Sequence, residues 1–130
     1  MKINNLIFYP LLLSVVLAFL HFLALKFFLY WTFWWYDIVM HFLGGMLVAA
    51  VFFWFYQFSR KIYSRKTLIG LPIVLLLSVG LIWEIFEYNI GFTFRAFGTY
   101  EFDTWKDLLM GLAGSSAYSV LAVNLMAPKL

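Results

Sequence analysis

The sequence predicts an all-α polytopic membrane protein built as a bundle of four transmembrane helices. Of its 130 residues, 65% are hydrophobic and only 12% are charged, whereas soluble domains are nearer half apolar and a quarter charged. The apolar runs are far longer than strands and lack in-out alternation, so helices remain as the way to satisfy the backbone in lipid. We therefore predict one transmembrane domain, residues 1–130, in a multi-pass protein of the cell membrane.

Four apolar runs are each long enough to cross a hydrocarbon core of roughly 30 Å. They cover residues 6–29, 36–58, 68–90 and 104–126. The first run follows Lys2, as in a secretory signal, but it is too long for one and no small-residue cleavage site follows it. We interpret it as an uncleaved span.

The distribution of basic residues predicts the orientation of the bundle. Arg60, Lys61, Arg65 and Lys66 lie between the second and third runs, and the stretch between the first and second runs has no basic residue. By the positive-inside rule, this loop and both termini should be cytoplasmic. The aromatic connection 91–103, which carries Arg95, should then lie outside as a flap along the membrane interface.

On this topology the acidic residues all fall at the extracytoplasmic end of the bundle. Asp37 and His41 are four residues apart in the second span, and Asp103 and Asp107 are four apart at the start of the fourth. Residues at these spacings share one helix face. Glu84 and Glu87, near the end of the third span, are three residues apart and should also share a helix face. The sixth acidic residue is Glu101.

Carboxylates inside a membrane are costly unless they face the interior and are neutralised. Protonation, Arg95 or Lys106, or bound divalent cations are the available means. Carboxylates with one imidazole form an oxygen-rich site suited to Mg, Mn, Zn or Fe. We therefore predict a divalent metal ion, of open identity, held by Asp37, His41, Glu84, Glu87, Asp103 and Asp107.

Several of these acids also have plain structural interpretations. Asp37 and Asp103 fit helix N-caps, since Asp at a helix start accepts backbone N–H bonds. Asp107 fits an ion pair with Lys106 or Arg95. Capping does not explain the third pair, Glu84 and Glu87, which lies near a helix C-terminus where the macrodipole disfavours negative charge.

The histidines and the last acid have alternatives as well. His41 fits a hydrogen-bonded interior histidine, and His21, which has no acidic neighbour at helical spacing, fits an ordinary buried histidine better than a ligand. Glu101 fits a solvated loop residue. Small residues in the second and fourth spans should let these two helices approach closely; they are Gly44, Gly45, Ala49, Gly111, Gly114 and Ser115.

Three stretches of the chain resemble a known family. They are YDIVMHFLGG at 36–45, LIWEIFEYNIG at 81–91 and EFDTWKDLLMGLAGS at 101–115. Together they resemble the YjdF-like family of small bacterial inner-membrane proteins and, more distantly, VanZ-like proteins. The matching positions are Asp37, His41, Phe42, Glu84, Glu87, Asp103, Thr104 and Asp107. The resemblance implies an inner-membrane fold and an important acidic layer, and it names no reaction.

The leading functional hypothesis is a metal-dependent membrane hydrolase acting on a lipid or lipid-linked substrate. We expect Glu84 and Asp107 to take the catalytic roles and Arg95 to meet a substrate phosphate. Membrane lipid is the expected partner, a homo-oligomer is compatible with the sequence, and nucleic acid is excluded because the basic residues are few and scattered. The alternatives are a cation or proton-coupled transporter and a non-catalytic assembly or envelope protein.

Overall fold

A computed structural model describes residues 8–90 and 99–126, and the regular structure in these two ranges is entirely helical. The helices are α1 (Phe8–Lys26), α2 (Leu29–Thr32), α3 (Tyr36–Tyr56), α4 (Arg65–Ile90) and α5 (Tyr100–Met126). All but the short α2 are long and apolar enough to cross a membrane. The predicted all-α bundle with four candidate spans is confirmed, and the orientation of its termini stays a prediction.

The helix of the first apolar run, α1, ends at Lys26, and the short α2 follows it from Leu29. Phe28 adopts a left-handed backbone conformation with φ 57°, which ends the regular helical path and costs a non-glycine residue about 1–2 kcal/mol. The side chain of Tyr30 in α2 is buried in a cluster with Ala24 and Tyr36. This packing fixes the turn between α1 and α3.

Helices α4 and α5 begin about one turn before the apolar runs that predicted them. Arg65 and Lys66 are in the first turn of α4 rather than in a loop. The hydroxyl of Thr99 accepts a 3.4 Å hydrogen bond from the backbone N–H of Phe102, which is the geometry of an N-cap. Glu101 therefore lies in a helix, where it is exposed, and the loop interpretation of this residue is wrong.

The closest helix contact is between α3 and α5. A Cβ placed on Gly45 would overlap the carbonyl oxygen of Gly111, and one on Gly114 would overlap that of Phe42. The predicted close approach of these two helices is confirmed, because their backbones touch where only glycine fits. Gly44 differs from these positions, since a Cβ built there meets nothing within 4 Å.

The arrangement of the helices leaves one side of the bundle open. Helix α5 packs on α3 and α4, and α1 packs on α3. Among the residues that the structure describes, α1 has no extensive contact with α4 or α5. A cleft between α1 and α4 is the consequence.

Candidate metal centre

His41 lies at the centre of the acidic cluster. Its Nε2 atom is 3.4 Å from Oδ1 of Asp37 on the same helix and 3.6 Å from Oδ2 of Asp107 on α5. The side chain of Asp107 is only 4% exposed. The close packing of α3 and α5 brings these three groups together, as the small residues in the two helices predicted.

A second group of ligand atoms meets the same histidine from α4. One side-chain atom each from His41, Glu84 and Glu87 lies within 4.8 Å of the other two, and the same is true of Asp37, His41 and Asp107. Glu84 is buried. The imidazole is thus shared by two groups, each of which could hold a metal ion.

Glu84 is fixed by two hydrogen bonds from the start of α5. The hydroxyl of Thr104 donates to Oε2 of Glu84 at 2.8 Å, and the hydroxyl of Tyr100 donates to the Glu84 backbone carbonyl at 2.8 Å. These bonds tie α4 to α5 at the level of the cluster. They also hold one carboxylate oxygen in place.

Lys106 forms ion pairs with three aspartates. Its Nζ atom is 2.6 Å from Oδ1 of Asp103, 3.2 Å from Oδ2 of Asp37 and 3.3 Å from Oδ1 of Asp107. The alternative that Asp107 pairs with Lys106 is therefore confirmed. It does not remove the metal hypothesis, because His41, Glu84 and Glu87 form a group without this lysine.

The charges of the cluster do not balance within the described residues. Five carboxylates face one ammonium and one imidazole. Oδ1 of Asp107 is buried and, in this part of the chain, accepts no hydrogen bond apart from its ion-pair contact with Lys106. A set of carboxylate oxygens around one imidazole fits a hard or borderline divalent cation.

The capping interpretation does not describe Asp37. The N-cap of α3 is Trp35, whose side chain makes no capping bond, and Asp37 is already in the first turn. Asp103 likewise lies inside the first turn of α5 and pairs with Lys106. Both carboxylates thus point into the cluster rather than serving only a helix terminus.

One of the six acidic residues is outside this cluster. Glu101 is exposed in the first turn of α5. Arg95 and residues 91–98 of the predicted flap lie outside the described residues, so the expected phosphate contact of Arg95 stays a prediction.

Three residues of the cluster were not predicted as site residues. Lys106 was considered as a neutralising cation, and its position between Asp103 and Asp107 was the available signal. Thr104 was part of a quoted motif. The tyrosine at the start of α5, Tyr100, carried no signal, because its role depends on a contact with the distant α4 backbone.

A cavity of about 420 Å³ extends from the cluster into the cleft between α1 and α4. Its polar end includes Asp37, His41, Glu87 and Asp107, and the rest of its wall is mainly apolar. This volume lies within the usual range of small-molecule sites. The cluster is therefore accessible to a ligand that has an apolar part.

His21 and Tyr30 lie at the edge of this cavity. The His21 Nδ1 atom and the Tyr30 hydroxyl are 2.8 Å apart, which agrees with an ordinary hydrogen-bonded histidine. Burial, followed by the charge of Asp37, raises the pKa of the Tyr30 phenol. The phenol therefore stays protonated and can donate a hydrogen bond to His21.

Comparison with protein families gives one match. A family model described as predicted membrane protein (DUF2238) matches residues 5–127. No curated protein and no solved structure matches the chain. The matched region includes all four long helices and every residue of the cluster, so the chain belongs to the DUF2238 family of predicted membrane proteins.

Proposed function

We propose that this protein is a metal-dependent membrane hydrolase acting on a lipid or lipid-linked substrate. The observation that carries the proposal is the sharing of His41 by two groups of potential ligands, with the ligand atoms of each group within 4.8 Å of one another. Oxygen atoms that share one divalent ion lie roughly 3 to 4.5 Å apart, because metal–ligand bonds are about 2.0 to 2.2 Å. The two groups need only small side-chain movements to meet this condition.

The chemistry would be the hydrolysis of a phosphoryl or acyl ester. A bound divalent cation lowers the pKa of water and polarises the ester oxygen. Glu84 and Asp107 approach His41 from different helices, so one carboxylate can accept the proton of the attacking water while another supplies a proton to the leaving oxygen. Thr104 keeps the Glu84 carboxylate in position through its 2.8 Å hydrogen bond.

The location of the cluster supports a lipid substrate. The cavity that includes His41 and Glu87 has mainly apolar walls formed by helices that are long enough to span a membrane. Contact with such apolar walls would not stabilise a fully polar, water-soluble substrate. Arg95 remains our proposed contact for a substrate phosphate.

Metal analysis followed by an activity assay tests this function. We expect the full chain, purified in detergent, to retain a stoichiometric divalent metal after chelator-free washing. Mixed phospholipid vesicles should then release phosphate or fatty acid in its presence, and Glu84→Gln and Asp107→Asn should abolish the release. Absence of metal under metal-replete conditions would overturn the proposal.

Transport of a cation or proton is the second candidate, and one observation favours it. Ser115 and Ser119 are fully buried on the same helix as Asp107, and within the described residues their hydroxyls form no hydrogen bond. Polar positions thus continue from the cluster along α5. Vesicle flux assays would favour transport if Ser119→Ala slowed ion or proton movement.

A further inference from the structure

We propose that the cleft between α1 and α4 binds a single acyl chain of a membrane phospholipid and so places the headgroup at the acidic cluster. This inference deepens the proposed function, on which it rests for the fate of the headgroup. The binding of the chain itself can be measured separately. Three features of the cleft carry the proposal.

The first feature is the lateral opening. Leu17 and Ala18 on α1 form one wall, and Val79 and Trp83 on α4 form the opposite wall. Val79 and Trp83 are 43% and 46% exposed, and in the described part of the chain α1 makes no extensive contact with α4. A bilayer lipid can therefore enter between the two helices without crossing water.

The second feature is the polarity along the cavity. One end includes carboxylates and His41, whereas the wall formed by Leu47, Val48 and Leu76 is apolar. A phospholipid has the same sequence of a polar head followed by a hydrocarbon chain. A chain seated against the apolar wall, with its head at the polar end of the cavity, would bring that head to the carboxylates.

The third feature is the space beside Gly44. This glycine lines the cavity, and a Cβ built on it meets nothing within 4 Å. An engineered apolar cavity of about 150 Å³ holds a benzene ring, so the cavity of about 420 Å³ has room for a considerably longer hydrocarbon segment. The missing side chain at Gly44 keeps that space open.

Photocrosslinking with matched glycine variants tests the cleft. The full chain is reconstituted in phospholipid vesicles containing phosphatidylethanolamine with a diazirine midway along one acyl chain, then transferred to detergent, washed and irradiated. We expect retained lipid to crosslink to cleft residues such as Leu47 and Val79. Gly44→Leu should lose this labelling, because the leucine occupies the space of the chain.

The control is Gly70→Leu in α4. Gly70 also has nothing within 4 Å of a built Cβ, and it is not among the residues that line the cavity; this variant should label as the wild type does. Ala18→Leu fills the cleft from the opposite wall, with the exposed Val15→Leu as its control, and keeps the test valid if Gly44→Leu does not fold. Wild-type labelling in a folded Gly44→Leu or Ala18→Leu protein would overturn the proposal.

Two further results separate this inference from the proposed function. Metal content is measured on the same preparations. Bound metal without cleft labelling would overturn the lipid cleft and leave the metal centre intact, whereas cleft labelling without metal would overturn the hydrolase and leave the cleft intact. Dimers that show no retained lipid would indicate that a second copy of the chain fills the cleft, which also contradicts the proposal.

Discussion

At the scale of single residues, His41 has the most connected position in the cluster. It meets Asp37 on its own helix, Asp107 on α5 and the glutamates of α4. Its neighbours are almost all acidic, so an imidazole there either carries a proton or shares a cation with them. If His41 and its acidic neighbours share a cation, then neutralising one of these neighbours should weaken metal binding.

We expect Glu84→Gln, Glu87→Gln and His41→Ala each to lower metal affinity roughly tenfold or more, since even groups that only support a ligand contribute that much. Glu101→Gln is the control, because Glu101 is exposed and outside both ligand groups. Isothermal titration with Mn²⁺ or Zn²⁺ measures the change. If the amide variants instead raised thermal stability with no metal dependence, simple repulsion among carboxylates would be the better account.

Lys106 should compete with a metal ion for the aspartates. Lys106→Met leaves three carboxylates without their ammonium, and loss of one partner from a mostly buried ion pair costs about 3 kcal/mol or more. We expect a lower thermal midpoint without metal and a larger rise of that midpoint when metal is added. The exposed Lys66→Met is the control. A Lys106→Met protein as stable as the wild type, with an unchanged metal response, would contradict this competition.

At the scale of helices, the contact of α3 with α5 determines whether the cluster forms at all. Asp37 and His41 are carried by one of these helices, and Asp103, Lys106 and Asp107 by the other. A small change in the separation of the two backbones would move the two sets of side chains apart. The glycines where α3 and α5 cross are therefore needed to bring the side chains of the site together.

We expect Gly45→Ala and Gly114→Ala to destabilise the protein by about 3 kcal/mol, because an added methyl group meets backbone that cannot move aside. Metal binding should weaken with them. Gly70→Ala is the matched helical control, since nothing lies within 4 Å of its built Cβ, and alanine favours a helix over glycine by about 1 kcal/mol. Thermal unfolding in detergent measures all three. Equal midpoints for Gly45→Ala and Gly70→Ala would refute the close contact.

The sequence predicted the helices and their polar faces better than the connections between the helices. Apolar runs of spanning length predict the number of long helices, and the spacing of Asp37 from His41 and of Asp103 from Asp107 predicts their shared faces. The break at Phe28 could not be predicted, because it depends on the packing of Tyr30 against Ala24 and Tyr36. Long-range contacts of this kind leave no local pattern.

The same limit applies to the site. The carboxylates were visible because charge is rare in the apolar segments, and Lys106 was visible for the same reason. Its three-way ion pairing depends on the distance between α3 and α5, which only the fold determines. The cleft had no signal either, since Gly44 resembles its neighbour Gly45 in sequence and differs from it only in its surroundings.

At the scale of the whole molecule, the acidic cluster and the basic residues around the connection from α3 to α4 occupy opposite ends of the bundle, with Lys106 the basic residue inside the cluster. The cluster lies at the start of α3, the end of α4 and the start of α5, whereas Arg65 begins α4 and hydrogen-bonds to Asn124 near the end of α5. The 21 residues of α3 span about 31 Å at 1.5 Å per residue. The two ends are thus separated by about the thickness of a hydrocarbon core.

This charge separation leads to the topology that we expect in the cell. Arg60, Lys61, Arg65 and Lys66 are all exposed at one end, and basic residues in short loops favour the cytoplasmic side. A reporter that works only in the cytoplasm should be active when fused after Leu130 or inserted at Lys61. A reporter that works only outside should be active when inserted beside the exposed Trp34. Exchanging the four basic residues for glutamine should weaken the orientation, whereas exchanging Lys26 alone should not. Extracytoplasmic activity of the Leu130 fusion would contradict this topology and place the acidic cluster at the inner face, and the lipid that we propose as substrate would then come from the inner leaflet.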